Sequence, residues 1–196
     1  FKYNLEMMID GYPGQEHSLP ITPLYKDVVE FVAHTGMFYT PTMLVAYGGP
    51  WAENYFYARE NAYHDEKLQN FTPYEELAGK ARRRGAGWFM EEEYNFPRLA
   101  KVVADIVNAG GKAGVGSHGQ LQGLGYHWEL WAMQSGGLTE HQALRVATLF
   151  GAEAIGVQND VGSIEPGKLA DLVIFEQSPL DGMRNTNTIQ MVMKNG

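Results

Sequence analysis

The chain has 196 residues, no cysteine and a formal net charge of −8. Disulfides and thiolate metal sites are therefore excluded, and nucleic acid or an anionic membrane surface is a poor match as partner. No apolar run approaches the roughly 18–20 residues that span a bilayer, and no signal-peptide pattern opens the chain.

With 44% hydrophobic residues the chain can bury the core of one domain or form part of a larger one. It opens abruptly with "FKYNLEMMID", which reads as an internal piece of a longer protein. "NLEMMID" is either a helical turn or the approach to a strand. "TPLYKDVVEFVAHTG" predicts a helix capped by Thr22, with Pro23 at its first position. Leu24, Val28, Phe31 and Val32 fall at helical spacing there, and Gly36 stops it. "MFYTPTMLV" is apolar and β-rich, as a strand buried on both faces would be, and Pro41 signals an early end. Residues 46–96 form a mixed excursion of the kind that often carries function. Its basic run at 82–84 and acidic run at 91–93 read as solvated faces.

"FPRLAKVVADIVNAGG" predicts an amphipathic helix, and "KAGVGS" the next strand. Two more helices follow in "YHWELWAMQSGG" and "TEHQALRVATLFGAEAIG". The second opens with a capping box, Thr139 and Gln142. After residue 156, "VGSIEPGKLADLVIFEQSPL" and "TIQMVMKNG" read as turns and short β segments. Strands alternating with helices, then a β-rich end, define an α/β protein with parallel βα units.

Chemistry in such folds gathers at the C-terminal ends of the strands. Those ends carry His17, Tyr47 and the run Ser117-His118-Gly119-Gln120. Imidazole is both a metal ligand and a base near neutral pH, so two histidines at strand tips suit metal-assisted chemistry. They also suit polar caps on loop backbone. Gly114-Val115-Gly116-Ser117-His118-Gly119 has the spacing of a dinucleotide fingerprint, but its first glycine lies inside the strand instead of opening a helix. A nucleophile elbow at Ser117 fails because Val115 replaces the first glycine. His34, His64 and His141 read as solvent-facing. His127, at the start of a helix, could reach the strand-tip mouth with Glu129 or face water.

The segments "EHSLP", "YTPTMLVAYGGP", "GSHGQ", "HWEL" and "ALRVATLFGAEAIGVQNDVGSIEPGKLADLVI" resemble the C-terminal part of metal-dependent amidohydrolases. They are most similar to the branch often fused behind a TolB-like β-propeller. The resemblance implies a (β/α)8 barrel of the TIM type that uses a divalent metal, most often Zn²⁺. The family places an H-x-H pair on the first strand, a Lys or acidic ligand on the fourth, histidines on the fifth and sixth, and an Asp on the eighth. His17 in "GQEH" matches the sixth-strand histidine and is implied to bind metal. "MFYTPTMLV" matches the seventh strand, and the strand ending at Ser117 the eighth. His118 then stands near the family's Asp, as base or as ligand.

A whole barrel takes about 250 residues, and this chain carries no H-x-H. The resemblance therefore implies strands six to eight of a barrel over 1–155, and over 156–196 the return to a small β-sandwich domain. The implied reaction is hydrolysis of a C–N bond, amide or cyclic amide, or a related bond by metal-activated water. Tyr47, Gln120 and His127 would orient a small-molecule or peptide-like substrate. The rest of the barrel would be the partner, with a homo-oligomer as a further option, and the resemblance alone points outside the cytoplasm. The competing class is a non-catalytic binding or assembly module that keeps the mouth without the metal.

Overall fold

The computed structural model describes residues 1–84, 89–118 and 121–196. Three short parallel strands form its first sheet in the order β1 (Gly14–Glu16), β2 (Phe38–Thr40) and β3 (Lys112–Ala113). Gly14 pairs with Phe38, and Tyr39 with Ala113. The ladder continues past both outer strands: the His17 amide donates to the Thr40 carbonyl at 3.0 Å, and the Gly114 amide to Tyr39 at 3.0 Å.

Helix α1 (Lys2–Ile9) precedes the sheet, and α2 (Lys26–His34) connects β1 to β2. Sequence spacing predicts α2 from Thr22, but the helix starts at Lys26 with Tyr25 in an extended cap conformation. The strand in "MFYTPTMLV" ends early, at Thr40, as Pro41 signals. Pro41 has no N–H to give a ladder, and the amides of Met43 and Leu44 beyond it are bonded to a helix side chain instead.

The excursion after β2 is built of turns and short helices: α3 (Asn54–Tyr57), α4 (Glu66–Phe71) and α5 (Tyr74–Arg84). The acidic run 91–93 is exposed, with Glu91 paired to Arg59; the side chains of the basic run 82–84 lie outside the described ones. Helix α6 (Phe96–Asn108) follows, with Leu99, Val102, Val103 and Ile106 buried on one stripe. It packs on α7 (Leu124–Gln134), which is buried almost all round through Trp128, Glu129, Leu130, Trp131 and Met133. The two helices meet closely at Gly136, where a Cβ would stand 2.1 Å from the Ala100 carbonyl carbon.

Helix α8 (Glu140–Arg145) begins with the predicted capping box: Thr139 Oγ1 accepts from the Gln142 amide, and Gln142 Oε1 from the Thr139 amide. The chain then widens to a π-turn over Val146–Phe150 before α9 (Gly151–Ala154). Thr148 Oγ1 donates back to the Leu144 carbonyl at 2.7 Å in that turn, the local bond by which a helical threonine perturbs regular pairing. The C-terminal strands β4 (Leu172–Phe175) and β5 (Ile189–Met193) form a separate antiparallel pair, with Val173, Ile174, Met191 and Val192 exposed. Among the described residues, no helix is long and apolar enough to cross a membrane.

Candidate active site at the strand tips

The structure brings His17 and His118 together. The two exposed rings lie with centroids 5.6 Å apart at the ends of β1 and β3, across the tip of β2. Both residues adopt left-handed backbone, with φ 67° at His17 and φ 59° at His118. Such backbone costs an L-residue roughly 1–2 kcal/mol. Tyr47, the third residue singled out at a strand end, is left-handed as well, at φ 65°. These turns take the three residues out of the sheet register.

Neighbouring groups fix His17 on both sides. Its amide is held by Thr40, and the Leu19 amide, two residues on, donates to the Tyr39 hydroxyl at 3.1 Å. Tyr39 is buried, which pushes its pKa up to about 12 and keeps the phenol neutral. On the ring itself, Nδ1 lies 2.6 Å from Thr42 Oγ1. Thr42 is buried, so its hydroxyl has few alternative orientations.

Beneath this turn lies Glu129, one of the largest fully buried side chains. Its Oε1 accepts the Met43 amide at 2.7 Å and its Oε2 the Leu44 amide at 3.1 Å. Burial pushes its pKa up to about 8 even though both amides pull it down; Glu53, also buried, adds to the rise. The chemical signal for Glu129 in the sequence is slight. A glutamate between two tryptophans on a helix reads as one polar residue on a wet face.

The other expected residues are distributed differently. Tyr47 stands exposed on the turn after β2, without a hydrogen bond or ring contact to either histidine. Gln120 lies outside the described residues. His127 sits on α7 with Nδ1 3.0 Å from Thr186 Oγ1 and its ring beside Trp131. Thr186 also receives the Trp131 indole N–H at 3.0 Å. His127 is thus tied to the C-terminal segment and is not brought to the histidine pair; burial, with a smaller contribution from Lys67, lowers its pKa. The exposed positions of His34, His64 and His141 agree with their reading as solvent-facing.

Two imidazoles that share one zinc ion at about 2.0–2.1 Å have ring centroids on the order of 5 Å apart, so a pair at 5.6 Å fits part of a metal site. With Nδ1 of His17 on Thr42, Nε2 is the nitrogen left for an ion. Among the described residues no group of three or more His, Cys, Asp or Glu side chains could hold one. His17 fits as one member of a larger ligand set, with the His118 ring close enough to act as a second ligand or as a base beside the ion.

A parallel sheet with histidines at its strand tips and helices packed on it is an arrangement that parallel α/β folds use for chemistry. The sequence profile of the amidohydrolase family matches residues 2–196. The chain belongs to the amidohydrolase family. It is 37% identical over 62 residues to a 5-methylthioadenosine/S-adenosylhomocysteine deaminase of Teredinibacter turnerae, covering 32% of this chain and 14% of that one. It is 34% identical over 76 residues to a guanine deaminase of Escherichia coli, covering 38% and 17%. Among solved structures it is similar to a Xaa-Pro dipeptidase with bound methionine, at TM-score 0.62 and 22% identity, over 98% of this chain and 41% of that one. The chain therefore spans less than half the length of each of these proteins, and the structural likeness establishes an α/β fold of the amidohydrolase TIM-barrel kind.

Proposed function

We propose that this chain supplies strands six to eight of a metal-dependent hydrolase barrel over residues 1–155, with 156–196 returning to a small β domain, and that the complete enzyme cleaves a C–N bond. The observation that carries this reading is the His17–His118 ring pair at the tips of the two outer strands of one parallel sheet. His17 would hold the ion through Nε2, its Nδ1 being engaged by Thr42. A divalent ion held there would supply Lewis-acid activation of water and polarisation of the bond to be cleaved. The remaining ligands would come from strands outside this chain, and Zn²⁺ suits the nitrogen donors best.

His118 acts as general base. It takes a proton from the attacking water and returns it to the departing nitrogen, a task suited to imidazole near neutral pH. The exposed φ-strained turn around Tyr47 supports a substrate-contacting role for that side chain, and Gln120 follows His118 closely enough in sequence to share it. The relatives' names, two deaminases and a dipeptidase, support amides, dipeptides and cyclic amidines as the substrates to try first.

The test uses the intact enzyme and a panel of those compounds. His17→Ala is expected to lower bound zinc and activity together. His118→Asn is expected to lower the rate by about 10²–10⁴, the range for lost acid–base help, with zinc content unchanged. Zinc lost from His118→Asn would make that residue a ligand instead. Full zinc occupancy in His17→Ala would remove it from the site.

A further inference from the structure

Glu129 has a task that the proposed chemistry does not use, and its geometry identifies it. Pro41 ends the β2 ladder, leaving the amides of Met43 and Leu44 in the core, where both side chains are buried. A buried amide without an acceptor is costly. Here one carboxylate reaches across from α7 and takes both, one on each oxygen. From the other side, the Leu44 carbonyl accepts the Glu53 amide at 3.1 Å. The turn is therefore clamped on its amide and carbonyl edges, one residue after Thr42.

Thr42 is the residue whose hydroxyl meets His17 Nδ1. We propose that Glu129 is a positioning residue for His17: by clamping the Met43 and Leu44 amides it fixes the Thr42 hydroxyl, which in turn holds the His17 imidazole in one orientation and one tautomer with Nε2 facing the mouth. For Nε2 to hold a cation it must be unprotonated, so Nδ1 carries the ring proton and donates it to Thr42 Oγ1. A glutamine of the same size would not replace Glu129. It offers a single acceptor oxygen, and its NH₂ would face one of the two backbone N–H groups. Burial raises the Glu129 pKa to about 8, so both oxygens serve as acceptors only above that value, and the comparisons that follow are made near pH 9.

The inference rests on His17 being a zinc ligand, and the experiment separates the two. Zn²⁺ affinity is measured by chelator competition on the metal-stripped intact enzyme, and the His17 tautomer by ¹⁵N NMR of histidine-labelled protein. Thr42→Val is expected to weaken zinc about 10–100-fold, the usual effect of removing the partner behind a histidine ligand, and to mix the His17 tautomers. Thr42→Ser should restore both. Glu129→Gln should weaken zinc in the same direction, and the Thr42→Val/Glu129→Gln double variant should bind no more weakly than Thr42→Val alone, since Glu129 acts through Thr42. Additive losses, or an unchanged His17 tautomer in Glu129→Gln, would overturn the proposal. If Glu129→Gln does not fold, Glu129→Asp, one methylene shorter, carries the same comparison. His17→Ala is the control: zinc binding unaffected by that change means the ligand assignment has failed, whatever the Glu129 variants do.

Discussion

Gly116 lies against Thr42: a Cβ on the glycine would stand 2.9 Å from the threonine Cγ2 and 3.0 Å from the Pro41 carbonyl oxygen. The missing side chain is what lets the tip of the third strand approach the β2 turn and set His118 beside His17. Gly116→Ala should therefore push Thr42 and the His118 turn apart. The expected cost is about 1–3 kcal/mol of stability, as for overpacking elsewhere, together with a loss of zinc affinity in the intact enzyme. Urea unfolding and zinc titration of one preparation check both, and a variant with unchanged zinc affinity would show that the Gly116–Thr42 approach does not shape the site.

Glu129 makes stability depend on pH in a defined direction. Its pKa is raised in the folded state from 4.5 to about 8, so between those values the native protein holds a proton that the unfolded chain has released. Stability then falls as pH rises through that window. Its contribution is complete below the unfolded pKa and is lost above the folded one. Glu53 and Tyr39 share the field of this carboxyl. The urea midpoint of the wild type, relative to that of Glu129→Gln, should decline from pH 5 to pH 8.5. Parallel curves for the two proteins would mean that Glu129 is already ionised when folded.

The capping box on α8 offers a control far from the chemistry. Thr139→Ala removes the acceptor of the Gln142 amide and should cost about 1 kcal/mol of stability, read as a lower unfolding midpoint. Zinc affinity should stay at the wild-type value. A drop in zinc affinity would couple α8 to the strand tips, contrary to its position in the fold.

This cap was legible in the sequence because both partners lie within one turn, as T-x-x-Q, and local chemistry is complete there. The histidine pair was legible for a related reason: glycines around His118 and the "GQEH" run mark strand ends, and parallel strands bring their ends to one mouth. The end of β2 at Thr40 was legible too, because Pro41 marks it. That the amides of Met43 and Leu44 beyond it are taken by Glu129, 86 and 85 residues away, was not. The surroundings of His127 were hidden in the same way. Its place at a helix start fits the mouth, whereas its hydrogen bond runs to Thr186, 59 residues on. Long-range polar contacts such as these follow from the fold and cannot be found by spacing along the chain.

The most direct test of His17 as a metal ligand is anomalous diffraction at the zinc edge from crystals of the intact enzyme grown with Zn²⁺. The ion should refine about 2.0–2.1 Å from His17 Nε2, with Nδ1 still on Thr42 and the His118 ring at the same opening. An ion bound elsewhere, or coordinated through Nδ1 with the Thr42 contact broken, would contradict it.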